Sequence, residues 1–528
     1  MDINFITRRS QWSCRRFSGS RSAVSFEDRQ TWTHDQLYSR INAYANALLS
    51  LDVSKGDRVG LLMHNGLEYW AIYLAAARIG AIAVRLNFRL TAEELDFIIK
   101  DSASTVLCFH SSFSQTLDGI RSKLPIRAYI ALKNGDQQVP EWAHSWSLLD
   151  DADSSPPPCA RPDPADSSML MYTSGTTGKP KGALWSHSNT LWFTAMQALQ
   201  WGLNENTVAM TTGPMYHVGA VEDLASATLA MGGHAVVLKS GGFSLRRVLE
   251  VIAYHRVTDI FLFPFMVSEL AQMDEEEVAR YDISSVKRII SGGDPLLPWA
   301  TQVLQQRHPW IELNQVYGLT EGTPISACST GEETLHHPDS VGRPMPFTEI
   351  SLRTDNGEEV GTDQDGEIWV RSPVVCTSYW RRPEESEATF VDGWCRTGDL
   401  GRLAGDGLLC MSGRKKDMIR SGGENVYPAE VEDILMRQPG IREVAVIGVR
   451  DAVLMETVCA VVVPMDGASL EASSIISACR KHLAGYKCPK HVVFTDQLPR
   501  TPSGKLMKYK LRDQHSNLGN DSRDASRD

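Results

Sequence analysis

Short apolar segments alternate with amphipathic ones along the N-terminal part of the chain, and this alternation constrains the fold most strongly. Residues 33–50 carry apolar side chains at helical spacing, and Thr33 with Gln36 fits a capping box. Residues 58–63 then form a short apolar run, as expected of a buried strand. Further strands are predicted at 81–84, 105–109, 235–238, 259–263 and 288–291, and further helices at 67–79 and 246–255. Such an alternation predicts βα units that build a largely parallel sheet.

The composition is that of an ordinary folded protein with room for several domains. The chain has 528 residues, of which 42% are hydrophobic and 22% charged, and its net charge is −11. At roughly 150 residues per domain, this length suggests about three or four units. The acidic balance makes bulk nucleic-acid binding a poor expectation. No apolar run is long and uncharged enough for a transmembrane segment or a signal peptide, so we expect a cytoplasmic protein.

The pattern changes in the last third of the chain. From about residue 344, short strands alternate with glycine-rich turns, as in a small β subdomain. Beyond residue 414, strands at 444–449 and 458–464 and a helix at 473–482 predict a further unit. The final residues are polar and are expected to be disordered.

The most specific motif is a glycine- and hydroxyl-rich segment at residues 171–182. Its three glycines let the backbone approach a ligand closely, and its hydroxyls and lysines can surround a polyphosphate. It is not a Walker A loop, because only two residues separate Gly175 from Gly178 and Lys179 is followed by Pro180. Taken alone, the segment is compatible with a phosphate-binding loop or with a flexible polar surface loop.

A second motif covers residues 314–321. The ring of Tyr317 can stack on a nucleobase, and the carboxylate of Glu321 can hold Mg²⁺. A Tyr-Gly turn before a helix would give the same local pattern, so this motif does not decide between the two.

Three further motifs follow towards the C-terminus. Asp399, in residues 393–400, has a carboxylate that could accept hydrogen bonds from both hydroxyls of a ribose. Residues 413–428 combine charged side chains with glycines, and Lys505 lies in a loop defined by Pro and Gly. Each of them, taken singly, is also what an ordinary hairpin, charged turn or loop would look like.

In their order along the chain, these motifs resemble the core motifs of the adenylate-forming superfamily, which groups acyl-CoA synthetases, firefly-type luciferases and peptide-synthetase adenylation domains. Residues 214–217 match another motif, and the resemblance runs from about residue 31 to residue 512. It implies an α/β fold in which residues 1–415 form a large N-terminal domain of two α/β subdomains and a β-barrel-like subdomain. A small, mobile α+β C-terminal domain at residues 416–512 would follow, with its hinge at Lys416 and a disordered tail at 513–528.

The resemblance implies an enzyme that activates a carboxylic acid in two steps. The carboxylate would attack the α-phosphorus of ATP to give acyl-AMP and pyrophosphate, and coenzyme A would then take the acyl group and release AMP. ATP, Mg²⁺ and coenzyme A are the implied cofactors and co-substrates, and a homodimer is a further expectation. Two alternatives stay open, an acyl-AMP ligase that loads a carrier protein and a catalytically silent nucleotide-binding homologue.

The resemblance also assigns roles to residues at matching positions. The implied catalytic residues are Lys505, Thr320, Glu321 and His217, with Glu321 on Mg²⁺. The implied ATP-binding residues are Thr173, Ser174, Gly175, Thr176, Thr177, Gly178, Lys181, Gly293, Asp294, Tyr317, Asp399 and Arg414. Ser421, Gly422 and Gly423 would lie beside coenzyme A. The implied acyl pocket contains Trp192, His217, Gly219, Phe263 and Gly292.

The acid is expected to be apolar. No aspartate directly follows His217, where amino-acid-activating relatives usually carry an acidic residue. Bulky aromatic residues and glycines at the pocket positions suit a fatty, a cyclic or terpenoid, or an aryl acid. No carrier domain follows Lys505, which makes free coenzyme A the simplest acceptor.

Three residues depart from the pattern of the superfamily. Asp294 stands where alanine is common, and Arg85 and Phe88 stand where prolines often occur. None of the three belongs to the phosphate-loop motif, so an active enzyme is still expected.

Overall fold

The computed structural model describes residues 18–159, 161–173, 180–421, 424–451, 454–500, 506–516 and 518. Its contacts divide the chain into two units. The first unit consists of Met1–Ile350 and Val370–Thr397, and the second of Ser351–Trp369 and Gly398–Asp528. The domain boundary at Lys416 and the mobility of the C-terminal domain stay predictions.

The first unit contains a seven-stranded sheet. Its strands lie in the order His144–Ser145, Ala128–Leu132, Val106–His110, Arg58–Leu62, Ile82–Arg85, Ser167–Thr173 and Lys181–Ser186. All neighbours are parallel except the last two strands, which form an antiparallel pair. The helices Leu67–Arg78 and Ala92–Ser102 are the crossover connections that make three of the strands parallel.

A nine-stranded sheet forms the rest of the core of this unit. Its strands lie in the order Arg343–Pro344, Thr323–Cys328, Glu312–Leu319, Arg288–Gly292, Asp259–Phe261, Val208–Thr211, His234–Val237, Ser22–Phe26 and Gln30–Thr33. The strands from Glu312–Leu319 to Ser22–Phe26 are all parallel to their neighbours. The larger remaining helices of the unit are His34–Ser50, His187–Trp201, Leu245–His255, Pro264–Gln272 and Pro298–Arg307. Its shorter helices include Ser114–Asp118, Ser147–Asp150, Val218–Val221, Ala227–Ala230, Glu275–Val278, Gly331–His336 and Pro383–Thr389.

The helix Leu67–Arg78 is apolar along most of its length. It contacts Ser22–Phe26 of the nine-stranded sheet and also Arg58–Leu62 and Ser167–Thr173 of the seven-stranded sheet. Ten of its residues are buried, because sheets cover it on more than one side. A helix covered in this way can be apolar nearly all round. Within the described residues, no helix is long and apolar enough to cross a membrane.

The two sheets confirm the predicted βα alternation. The helix predicted at 33–50 begins at His34, and its capping box is formed as expected. The Gln36 amide donates to Thr33 Oγ1 at 3.2 Å, while the Thr33 amide donates to Gln36 Oε1 at 2.9 Å. The strand predicted at 259–263 is shorter and ends at Phe261, because Pro264 begins the next helix.

Short strands dominate the part of the chain after residue 344, as predicted. They are Glu349–Arg353, Gly366–Arg371, Phe390–Val391, Trp394–Leu403 and Leu409–Arg414. The last two pair in antiparallel fashion, with Asp399 opposite Arg414.

The C-terminal part of the second unit is an α+β arrangement. Its sheet lies in the order Glu424–Val426, Ile419–Ser421, Met455–Pro464 and Ile441–Asp451, and His491–Phe494 pairs in parallel with Met455–Pro464. Its helices are Pro428–Met436, Ala472–Arg480 and Lys508–Gln514. Within the segment 413–428, Ile419–Ser421 and Glu424–Val426 pair in antiparallel fashion, and a helix begins at Pro428.

Candidate functional site

Four candidate residues lie along one edge of the nine-stranded sheet. Gly292 ends one strand, and Tyr317 lies two residues before the end of its neighbour. Phe263 and His217 follow the ends of the next two strands by two and six residues. These strands are parallel, so their carboxyl ends meet at the same edge. Ligands of open α/β sheets bind outside such an edge. The fold therefore collects residues that are far apart in the sequence into one row.

Glu321 lies where this edge meets the end of a strand of the other sheet. Thr173, the last residue of Ser167–Thr173, donates its hydroxyl to Glu321 Oε1 at 2.7 Å. The Tyr379 hydroxyl donates to the same oxygen at 3.2 Å. Burial and the neighbouring Glu321 carboxylate raise the pKa of Tyr379, so its hydroxyl stays protonated and remains a donor.

The phosphate-loop motif is framed by two described residues. Thr173 and Lys181 are Cα partners in the antiparallel pair that joins the two strands. The Lys181 ammonium lies 5.6 Å from the centre of the Tyr379 ring. Ser174, Gly175, Thr176, Thr177 and Gly178 lie outside the described residues. The ends of the motif are thus placed beside Glu321 and Tyr379.

Tyr379 is a site residue that sequence reasoning missed. It forms a bridge with Ala183, and the Trp380 amide donates to the carbonyl oxygen of Gly182 at 2.8 Å. These backbone contacts align Tyr379 with the strand that begins at Lys181. The only signal in the sequence is the pair of adjacent aromatic residues before a basic, proline-containing stretch.

The backbone at Thr320 and Glu321 is fixed from two directions. The indole Nε1 of Trp185 donates to the Thr320 carbonyl oxygen at 2.9 Å. The Cys376 amide donates to the Glu321 carbonyl oxygen, also at 2.9 Å. Both carboxylate and backbone of Glu321 therefore have partners contributed by distant segments.

Glycines shape the edge next to these residues. A Cβ at Gly318 would lie 2.3 Å from the carbonyl oxygens of both Thr323 and Pro324. A Cβ at Gly292 would lie 2.6 Å from Val316 Cγ2. Gly293 has a φ of +98°, and the half-buried Asp294 follows it. The close approach of neighbouring strands thus depends on the absence of side chains.

The residues assigned to the acyl pocket do not all share one environment. The Phe263 ring lies 3.4 Å from the Cβ position of Gly213, which places it beside the segment leading to His217. Trp192 instead packs edge-to-face on Phe347, with 5.4 Å between the ring centres. Trp192 is 40% exposed and Phe347 is 56% exposed.

A buried acidic residue lies near the pocket position Gly219. Asp223 Oδ2 is 3.5 Å from the Cβ position of Gly219. The absence of an aspartate directly after His217 gives no sign of Asp223, which lies six residues further along the chain. The turn that brings it back is irregular, with Asp223 at ψ 125° and Leu224 at φ 61°.

The remaining described candidates lie in the second unit. Asp399 is buried and its Oδ1 lies 3.2 Å from Nε of Arg414. Lys416 lies in a turn closed by hydrogen bonds from the amides of Asp417 and Met418 to the Arg414 carbonyl oxygen. Ser421 is buried at the end of a hairpin strand. Gly422, Gly423 and Lys505 lie outside the described residues.

Comparisons with known proteins agree with one another along nearly the whole chain. A family model described as AMP-binding enzyme matches residues 10–380, and one described as AMP-binding enzyme C-terminal domain matches residues 430–505. The long-chain-fatty-acid–CoA ligase FadD13 of Mycobacterium tuberculosis is 34% identical over 490 residues, which cover 92% of this chain and 93% of the relative. The feruloyl-CoA synthase of an Amycolatopsis species is 36% identical over 505 residues, which cover 95% of this chain and 98% of the relative. The solved structure of ATP-bound MatB from Rhodopseudomonas palustris has a TM-score of 0.88 at 28% identity, covering 98% of this chain and 100% of that one.

Replacing Gly318 tests the close strand approach beside Tyr317. Gly318→Ala would force its Cβ against two backbone carbonyls, so we expect the free energy of unfolding to fall by about 1–3 kcal/mol. The matched control is Gly405→Ala, because a Cβ there has no atom within 4 Å and should change stability by less than about 0.5 kcal/mol. The measurement is the thermal unfolding midpoint of both variants. Equal midpoints would contradict the packing described at Gly318.

Proposed function

Because the chain belongs to the AMP-binding enzyme family, we propose that the Glu321 cluster binds the phosphates of ATP and that the enzyme activates an apolar carboxylic acid. The Glu321 cluster consists of Thr173, Lys181, Glu321 and Tyr379. The resemblance to the adenylate-forming superfamily is confirmed, and with it the class of AMP-forming acyl-CoA ligases. The observation that carries the proposal is the contact of Thr173, at the start of the phosphate-loop motif, with the Glu321 carboxylate.

The chemistry fits a site without a catalytic triad. A carboxylic acid is already ionised at neutral pH, so its attack on the α-phosphorus needs little help from a base. The attack does need alignment of the two anions and neutralisation of the developing charge. The Lys181 ammonium supplies positive charge at one end of the loop motif, and the Thr173 hydroxyl at the other end holds the Glu321 carboxylate.

Glu321 is suited to a magnesium ion that ATP would bring. Mg²⁺ is commonly bound through one or two carboxylates together with substrate phosphates and water. Within the described residues, no three His, Cys, Asp or Glu side chains come together as a metal site made by protein alone. Glu321 is a single half-buried carboxylate with two hydroxyl neighbours. It therefore suits an Mg²⁺ ion that is bound jointly by one protein carboxylate and the phosphates of ATP. When bound, the ion would offset the negative charge of the phosphates.

The other assignments extend this proposal to the rest of the chain. Tyr317 would lie against adenine, and Asp399 with Arg414 would hold the ribose. Lys505 would approach the carboxylate and the α-phosphate during adenylation. A rotation about Lys416 would then bring the segment containing Ser421 to the coenzyme A side. The register of Asp399 opposite Arg414 supports the ribose assignment, since one acceptor and one donor already lie together.

The acid is proposed to be apolar and of moderate to large size. The aromatic ring of Phe263 beside Gly213 supports an apolar wall near His217. The relatives FadD13 and feruloyl-CoA synthase are named for a long-chain and an aryl acid, and both classes agree with such a wall. Free coenzyme A is the proposed acceptor.

An acid panel tests the proposed activity. We expect ATP–pyrophosphate exchange that depends on added hexadecanoate or ferulate, with much weaker exchange on acetate, because an apolar wall gains little from a methyl group. Thioester formation is then measured with coenzyme A and, in parallel, with a phosphopantetheinylated carrier protein. If none of the acids supports exchange, the proposed function is contradicted. If thioester forms on the carrier protein but not on coenzyme A, coenzyme A is not the acceptor.

Replacing Lys505 separates the two half-reactions. Lys505→Ala should slow acyl-AMP formation at least about 100-fold, because a charge that stabilises the transition state is lost. Thioester formation from supplied acyl-AMP should remain near the wild-type rate. The matched control is the exposed lysine variant Lys510→Ala, which should leave both rates unchanged. If the rates of acyl-AMP formation and thioester formation fall equally in single-turnover assays, Lys505 has no specific role in adenylation.

Removing one hydroxyl tests the Glu321 cluster. Tyr379→Phe keeps the ring under Lys181 but removes a hydrogen bond to a carboxylate, so we expect exchange to fall about tenfold. Tyr129→Phe is the control, because it removes a hydroxyl that donates to the Arg121 carbonyl oxygen away from the site. The acid-dependent exchange rates of the two variants are compared at saturating ATP. A wild-type rate for Tyr379→Phe would exclude its hydroxyl from the working site.

A further inference from the structure

A fully buried ion pair lies behind the segment that carries His217. Arg85 ends the strand Ile82–Arg85, and its Nη1 lies 2.5 Å from Glu222 Oε2. Both side chains are completely shielded from solvent. Placing two charges in the interior is expensive, and an apolar pair of similar volume often gives equal or greater stability. Stability alone therefore does not explain why an arginine occupies this position.

Arg85 also holds the backbone before His217. Its Nε donates to the Met215 carbonyl oxygen at 3.0 Å, and its Nη2 donates to the His217 carbonyl oxygen at 2.7 Å and also contacts Met215. The planar guanidinium can serve two carbonyls and one carboxylate at once, because its donors point in fixed directions. An apolar side chain could fill the volume, but it would leave both carbonyl oxygens without these donors.

Glu222 ties the same arginine to the irregular segment that follows. The Tyr73 hydroxyl donates to Glu222 Oε1 at 2.9 Å, and Gln197 Nε2 donates to the Glu222 carbonyl oxygen at 2.9 Å. Gln197 Oε1 accepts the Leu224 amide at 2.6 Å. Leu224 has a φ of 61°, a backbone conformation that a branched side chain rarely adopts. The network thus holds in place a turn that would not form by local preference.

Arg85 keeps its positive charge in this setting. Burial disfavours the charged guanidinium, but Glu222 and the nearby tyrosines Tyr69 and Tyr73 raise the pKa of Arg85 above its ordinary value. A charged donor makes stronger hydrogen bonds to carbonyl oxygens than a neutral one. The carbonyls of Met215 and His217 are therefore firmly held.

We propose that Arg85, supported by Glu222, is a positioning residue for acid binding: it fixes the Met215–His217 backbone so that His217 and Gly219 keep their place at the acyl pocket. This proposal rests on the proposed function, which places His217 at that pocket. It makes Arg85 a determinant of acid affinity that acts through backbone carbonyls and not through contact with the acid. The departure from the superfamily pattern at this position then has a role in this chain.

The test separates positioning from stability. Arg85→Met leaves the Glu222 carboxylate buried without its cation, so its unfolding midpoint should fall. In the double variant Arg85→Met/Glu222→Met the midpoint should return towards that of the wild type. With the acid that the wild type activates fastest among hexadecanoate and ferulate, the double variant should still show an acid KM raised about tenfold or more, while its ATP KM changes less than about twofold. A wild-type acid KM in the double variant, or equal rises in both KM values, would overturn the proposal.

The variant Arg85→Lys and a measurement of hydrogen exchange complete the test. Arg85→Lys keeps the charge and some donors, so its acid KM should lie between those of the wild type and the double variant. Hydrogen exchange of a peptide covering residues 214–221 should be about tenfold faster in Arg85→Lys and in the double variant, with the helix Pro298–Arg307 unchanged as an internal control. This readout needs no acid, so it tests the positioning even if no acid supports exchange and the proposed function fails. Wild-type hydrogen exchange in the 214–221 peptide of both variants would overturn the proposal.

Discussion

Parallel strands end at a common edge, and the candidate site of the first unit depends on two such edges meeting. The hydrogen bond from Thr173 to Glu321 joins the last residue of a strand in one sheet to a residue just beyond a strand in the other. The contacts of Arg85 with Met215 and His217 make a second junction of the same kind. The helix Leu67–Arg78, which contacts both sheets, supports this arrangement from within the core.

The two junctions have different chemistry. At Glu321, hydroxyl groups surround a carboxylate, and a lysine lies over a neighbouring ring, which suits phosphates and a cation that arrive together. At Arg85, a buried cation serves backbone carbonyls and has its own counter-ion, which suits a structural role beneath an apolar acid. On the proposed function, the first junction would bind a nucleotide and the second would shape an apolar pocket.

Much of this arrangement is predictable from the sequence. The alternation of apolar runs and helices predicts parallel sheets, and Thr33 with Gln36 predicts where a helix begins, because these signals are local. The contacts of Tyr379 and Glu222 are not predictable in the same way. Tyr379 lies 58 residues from Glu321, and Glu222 lies 137 residues from Arg85. Nothing in either local sequence indicates its distant partner. The pairing of Ile419–Ser421 with Glu424–Val426 is equally hard to predict, because a glycine-rich segment is also typical of a loop.

In the proposed reaction, a carboxylate oxygen of the acid attacks the α-phosphorus of ATP. The most direct measurement follows a heavy-oxygen label from the carboxylate of the acid into the nucleotide product by mass spectrometry. This attack predicts AMP that carries one labelled oxygen after thioester formation, since the thiol displaces AMP together with the oxygen that bridged the acyl group and the phosphorus. Unlabelled AMP, or label found in inorganic phosphate with ADP as the nucleotide product, would contradict it.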